Sequence, residues 1–267
     1  MTLEIGTFLP TSTADPSVPI LGDIKAAARL AEELGLDSVW SPDHLAASVP
    51  LLDSTVTLAT AAAVTERIRI GYGVLLLALR PVAWAAKQVA ALQYASGDRV
   101  VLGIGTGNPA HGDIGWRAAE RSFAGRGRRT DEALRVLPDL IAGRPTTLPD
   151  GGVVTLAPGA TVPPILVAGN GTRAMRRTAE FGDGWVAIGI TPAQARDFGH
   201  ELAALASEFG RNAPRITVVD PPAGDLAETV DRLSAYADAG VERILFAPRD
   251  ANWRGGYEFA AKVRAAL

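Results

Sequence analysis

The chain is 267 residues long, 48% hydrophobic and 21% charged, and carries a net charge of −3. That balance describes a globular protein with a large core and no basic surplus to attract nucleic acid or an anionic membrane. No cysteine is present, which excludes disulfides and thiolate-held metals and fits a cytoplasmic location.

Met1 to Phe8 has neither the basic nor the apolar region of a secretory leader. It opens a predicted strand at Leu3–Leu9. Asp23–Leu34 then sets Ile24, Ala27, Ala28, Ala31 and Leu34 at helical spacing, with Gly35 as the stop. Ser38–Ser41 is the second predicted strand and Thr55–Thr65 the second helix. Arg67–Leu76 is the third strand, and Pro81 starts a helix that ends near Ala95, because a missing N–H is harmless in a first helical turn. Arg80, Pro81 and Lys87 interrupt the apolar run Ile70–Val89, so it reads as strand then helix and not as a membrane span. Val100–Gly105 is the fourth strand, followed by a long loop and the helix Arg126–Ala142. The second half predicts strands at Pro164–Ala168, Gly184–Ile188, Arg215–Val219 and Arg243–Phe246. Each precedes a helix, at Thr172–Phe181, Pro192–Phe209, Asp225–Ala239 and Gly255–Ala266.

Eight strands and eight helices in strict alternation imply a parallel sheet. The count, with a length near the roughly 250 residues of a complete barrel, points to a closed (β/α)8 TIM barrel spanning residues 1–267 as a single domain. An open α/β sheet of similar element count is the competing arrangement. In a barrel the active site lies on the loops after the strand C-termini, which here begin at Pro10, Pro42, Leu75, Thr106, Gly169, Gly189, Asp220 and Pro248.

The segment Val167-Ala-Gly-Asn-Gly-Thr-Arg173 runs from a buried strand into a helix. Gly169 and Gly171 let the backbone approach a ligand. The helix start offers unpaired N–H groups and partial positive charge to a phosphate, with Thr172 as a natural N-cap. A plain βα turn that needs glycines for geometry is the alternative. A second Gly-rich turn, Gly103-Ile-Gly105-Thr-Gly107-Asn-Pro109, is not a dinucleotide fingerprint, since its spacing is G-x-G-x-G and no helix follows directly. It is either a backbone wall against a flat ligand or a tight turn.

Asp43-His44 supplies an acid/base candidate, because an imidazole exchanges protons near neutral pH. Asp43 orients it or acts alone; a purely structural histidine is the alternative. His111, in the long loop after the fourth strand, ranks below His44, and His200 lies mid-helix. Arg126 to Arg129 with Asp131 and Glu132 read as a solvated helix face. Asp183-Gly184-Trp185 reads as a turn into a strand, with Trp185 in the core or the pocket wall. No metal-ligand spacing, Gly-x-Ser-x-Gly elbow or P-loop lysine motif occurs. The lysines Lys25, Lys87 and Lys262 all fall in predicted helices, which argues against an aldolase or isomerase barrel. With no nucleophile of its own, the chain points to a bound cofactor that performs the chemistry.

These residues resemble the bacterial-luciferase-like family of flavin- or F420-dependent oxidoreductases. The likeness is carried by Leu30-Ala-Glu-Glu-Leu-Gly-Leu-Asp-Ser-Val-Trp40 with Asp43-His44, by Thr65-Glu-Arg-Ile-Arg-Ile-Gly-Tyr-Gly-Val74 with Arg80-Pro81 and Lys87-Gln88, and by Ser96 to Gly107. Arg126 to Leu134, Pro164 to Gly171, Asp183-Gly-Trp185 and Ala239 to Arg243 continue it in order. The resemblance implies a barrel that binds FMN or F420 at its C-terminal face and acts on a small organic substrate by hydride transfer or oxygenation. It implies that Gly169, Asn170, Gly171 and Thr172 hold the cofactor phosphate and that Thr106 and Gly107 line its other side. Gly73-Val74 falls where family members carry a peptide bulge that supports the ring system. Asp43-His44 is similar to the pair of many F420-dependent members, where the histidine handles a proton. In FMN-dependent monooxygenases the same position serves oxygenation. A homodimer, through Leu52–Val64 and Pro81–Leu92, and a separate flavin or F420 reductase as partner are further implications.

Two features depart from the family pattern. The Arg80-Pro81 turn is one residue shorter, and Pro214 to Asp225 is a short link where the family carries a long excursion over the pocket. Such a lid excludes water from reactive species, so its trimming keeps a second reading open: a cofactor-poor barrel retained for small-molecule binding or as an accessory protein.

Overall fold

A computed structural model describes residues 3–12, 22–47, 49–148, 150–247 and 252–267. In chain order the elements are β1 (Glu4–Phe8), α1 (Ile24–Glu33), β2 (Ser38–Ser41), α2 (Ser54–Ala62), β3 (Arg69–Leu76), α3 (Val82–Ser96) and β4 (Val100–Gly105). Then come α4 (Ile114–Ala118), α5 (Arg126–Ile141), β5 (Thr146–Thr147), β6 (Val153–Val154), β7 (Ile165–Ala168), α6 (Thr172–Phe181) and β8 (Gly184–Ile188). The chain ends with α7 (Pro192–Glu208), β9 (Arg215–Asp220), α8 (Leu226–Asp238), β10 (Val241–Phe246) and α9 (Trp253–Ala266). Strands β1, β2, β3, β4, β7, β8, β9 and β10 close into a barrel in that order, each parallel to its neighbours. The open-sheet alternative is excluded by the β1–β10 pairing.

Local chemistry starts the helices where the pattern said they would. Asp23, Asp53 and Asp225 accept amide hydrogens of the first turns of α1, α2 and α8, and Thr191 with Gln194 forms a capping box at α7. Besides two 3-10 turns, Leu77–Leu79 and Pro109–His111, three elements were not foreseen. The long loop after β4 contains α4, and β5 and β6 form a small antiparallel hairpin outside the barrel. Strands β2, β4 and β8 keep the predicted bounds, and the ends of the other barrel strands differ from them by at most two residues. The βα loop predicted to begin at Pro248 lies outside the described residues.

The core has two layers. Between strands and helices pack the aliphatic faces of both, from Ile5 and Val39 to Leu202 and Val263. Inside the barrel, Trp40, Val101, Leu166, Val186 and Leu245 fill the lumen with Phe8 and Val219 against them. Trp40 is fully buried, and it fits because Gly6 and Gly71 stand beside it: a Cβ at either would run into the Trp40 ring or its neighbours. Its indole N–H donates to the Ser38 hydroxyl at 2.8 Å, satisfying the one polar atom it buries. A lumen plugged this way leaves the two ends of the barrel as the places where a ligand can enter.

Candidate active site

The end of β2 delivers Pro42, Asp43 and His44 to the rim at the strand C-termini. Asp43 is 3% exposed, and its carboxylate is fully engaged. It accepts the Ser54 hydroxyl at 3.0 Å, the Leu76 amide at 2.9 Å and the Arg80 guanidinium at 2.8 and 2.7 Å. These contacts tie the β2 end to the first residue of α2, the last residue of β3 and the turn before α3. A buried ion pair of this kind adds little net stability, but removing one partner would strand a charge at a cost of about 3–5 kcal/mol. Asp43 therefore fixes the loop.

His44 is half-buried. Its ring lies 4.9 Å from that of His111, edge to face at 67°. Burial pushes the His44 pKa below its ordinary value, the like charge of His111 pushes it further, and Asp43 opposes both. The two imidazoles share a narrow cleft with Leu76, Gly107, Asn108 and Trp116. Trp116, from α4, is buried against Phe123 with ring centroids 5.8 Å apart. Gly107 has φ +85, and a Cβ there would sit 3.1 Å from the Trp116 ring.

In β3 the Gly73–Val74 peptide is cis, and the register against β4 slips between Tyr72 and Leu75. This is the bulge expected at Gly73 and Val74. Across from it, a side chain at Gly103 would collide with the Tyr72 carbonyl, and one at Gly105 with Val74. These two glycines make room for the bulge, and Gly107 of the same turn borders the imidazole cleft. Beneath it, the buried Tyr72 hydroxyl pairs with Thr55 at 3.2 Å and burial pushes its pKa up to about 12.

On the opposite arc, β7 runs into Gly169 at φ +126, a conformation that side chains rarely adopt. Its carbonyl accepts the Trp185 indole N–H at 2.7 Å, which gives Trp185 a supporting role beneath this loop as well as a place in the core. The Asn170 side chain donates to the Ile188 carbonyl at 2.7 Å and accepts the Ile188 amide at 3.1 Å, clamping the β7 and β8 loops together. Thr172 is not the N-cap. Gly171 takes that position with extended backbone (φ −90, ψ 157), and no side chain caps the helix. The physical reason is that the chain enters the helical conformation one residue after Gly171, making Thr172 the first helical residue. The exposed amides of Thr172 and Arg173 thus meet no protein acceptor among the described residues.

The structure groups Asp43, His44 and Gly107 with His111 on one side of the rim, and Gly169, Asn170, Gly171 and Thr172 on the β7–β8 side. Gly73 and Val74 lie in β3 beside Phe8. Sequence reasoning passed over Ser54 and Trp116, and saw Arg80 only as part of a turn. A single arginine at a strand end following a unit with a buried aspartate is the one signal that would have found the Arg80 pair. The Arg126–Glu132 face is solvated at Arg128–Glu132, but Asp131 pairs instead with the buried Arg177 of α6.

A closed parallel eight-stranded barrel with an uncapped helix start and an imidazole pair on its C-terminal rim has the architecture of the (β/α)8 class, whose active sites lie on that rim. Residues 3–266 match the family model of luciferase-like monooxygenases, and the chain belongs to that family of oxidoreductases. It is 33% identical over 220 residues to the F420-dependent glucose-6-phosphate dehydrogenase of Beutenbergia cavernae, covering 74% of this chain and 61% of that protein. Among solved structures, an F420-dependent secondary alcohol dehydrogenase bound to an F420–acetone adduct superposes with a TM-score of 0.81 at 17% identity, covering 98% of each chain. The FMN-bound oxygenating constituent of 3,6-diketocamphane monooxygenase from Pseudomonas putida gives 0.80 at 16% identity, covering 100% of this chain and 99% of that one. Both show the same fold.

Proposed function

We propose that the protein is an F420-dependent dehydrogenase or reductase that moves a hydride to or from a small organic substrate at the barrel rim. The observation that carries this is His44, a half-buried imidazole held below its ordinary pKa beside a carboxylate already committed to Arg80. The curated likeness to an F420-dependent dehydrogenase supports the coenzyme choice.

The residues present fit such a group. The start of α6 is uncapped and exposed, and the position where a Gly171 side chain would stand is open space. The amides of Gly171, Thr172 and Arg173 would hold the phosphate. Asn170, with its side chain taken by Ile188, would contribute only its backbone amide. Gly73, Val74, Thr106 and Gly107 would border the ring system. Bound there, the deazaflavin supplies or accepts a hydride. His44, neutral at physiological pH, takes a proton from the substrate oxygen at an imidazole nitrogen in the oxidative direction and returns one in the reductive direction. Asp43 is a positioning residue: it holds the loop that aims His44.

The test is an absorbance titration of the purified protein with F420 and, separately, FMN. F420 is expected to bind at least about tenfold more tightly, a difference of about 1.4 kcal/mol. Tighter binding of FMN, with oxygen consumed on reduction, would replace this reading with a monooxygenase that depends on a separate reductase. Binding of neither would favour the cofactor-poor barrel.

A further inference from the structure

The turn after β4 places a second imidazole against His44. Asn108 accepts the Ala110 amide at 3.0 Å through its side chain and the His111 amide at 3.1 Å through its carbonyl, which holds the Pro109–His111 turn in shape. Gly115 of α4 packs on the loop after β2 so closely that a Cβ there would stand 3.0 Å from the Ala46 carbonyl. These contacts set the distance between the two loops, and with it the 4.9 Å between the His44 and His111 rings. The cleft they share has a free volume of about 10 Å³, against the roughly 300–1,000 Å³ of a small-molecule pocket. It has room for a bridging water and none for a substrate.

The two rings differ in exposure. His44 is half-buried and His111 is exposed. A positive charge is therefore better hydrated on His111 than on His44. Two like charges at this distance oppose each other, so the pair takes up one proton more readily than two. Of the titratable groups facing His44, Asp43 is committed to Ser54, Leu76 and Arg80, and His111 is the other. Imidazole takes a proton on one ring nitrogen and releases one from the other, which is what a shuttle needs. A half-buried base that gains a proton in each turnover must lose it before the next. The exposed neighbour lies one proton step away, direct or through one water.

Resting on the oxidoreductase reading above, we propose that His111 is a proton relay between His44 and bulk water. In the oxidative direction the substrate's C–H hydrogen leaves with its electron pair to the coenzyme, and its O–H proton goes to His44. His44 gives a proton to His111 and His111 gives one to water, so both imidazoles end neutral and the substrate ends as a carbonyl compound. The reductive direction runs the same steps backwards. Without His111, His44 exchanges its proton with water slowly.

The experiment uses coenzyme-free protein isotope-labelled at the histidine nitrogens. It follows NMR saturation transfer from water to the ring N–H of His44, whose signal is assigned by its loss in His44→Gln. Both His111→Asn and His111→Gln are expected to keep the parent's circular dichroism spectrum and to slow that exchange at least about tenfold. Free imidazole in the buffer should restore it, because a diffusible base fits the space the ring has left. Unchanged or faster exchange in the variants would overturn the inference, since taking away a ring that merely covers His44 admits water. Slowing that imidazole does not restore would overturn it too, by showing that the ring only shapes the loop. Failure to bind F420 in the titration above would end the oxidoreductase reading and the relay with it, whereas unchanged exchange ends the relay alone.

Discussion

Asp43 and His44 are adjacent in the chain and opposite in circumstance. The carboxylate has filled its acceptor positions with Ser54, Leu76 and Arg80, while the imidazole faces a second imidazole across a cleft. The groups facing His44 are Asp43 from its own loop and His111 from the loop after β4. Replacing His111 by Asn removes the like charge, so the His44 pKa should rise toward its ordinary value in a histidine NMR titration. The consequence for stability has a definite sign. A neutral His44 with a lowered folded-state pKa contributes stability that is complete above about pH 6.5 and is lost as pH falls through the lowered pKa. His111→Asn should therefore lose less thermal stability on acidification than the parent; an equal or greater loss would rule out the pairing. Both histidines were legible as loop residues. The commitment of Asp43 was not, because its partners lie 11, 33 and 37 residues away and no local pattern links them.

The α6 start tests the anion site without touching the imidazoles. Gly171→Asp suits the extended cap backbone and meets no neighbour. A carboxylate there should cap the first turn, worth a few tenths of a kcal/mol over glycine, and should repel a phosphate from the same amides. The expected outcome is a urea midpoint equal to or above the parent's, with coenzyme affinity lowered about tenfold or more. Unchanged affinity would remove this helix start from the coenzyme site. Periodicity and caps made the long helices and the barrel strands readable, since both depend on residues within a turn or two. The α4 helix, five residues long, and the two-residue strands β5 and β6 are too short to show a period. The β3 bulge was expected at Gly73-Val74 from the family resemblance alone; its physical trace, the glycines Gly103 and Gly105, has a purpose visible only beside Tyr72 and Val74.

At the scale of the molecule, large apolar side chains stand exposed on adjacent helices: Val56 at 66% on α2, and Trp84 at 66% and Tyr94 at 86% on α3. We propose that this face is where two copies of the chain meet. Sedimentation should give twice the 27.8 kDa chain mass for the parent and the single-chain mass for Val56→Glu/Trp84→Glu, with helix content unchanged. A monomeric parent would end that proposal. Strict strand–helix alternation, readable from order and periodicity alone, implied a parallel sheet, and the count of eight units pointed to a barrel with its chemistry on the strand C-termini, because those features arise from short-range hydrophobic spacing and glycine or proline punctuation. Closure of β1 onto β10, the Trp40 plug and the Asp43–Arg80 anchor belong to the tertiary level. Each joins residues from distant parts of the chain, and the forces that select them, burial and partner satisfaction, act only once the chain has folded back on itself.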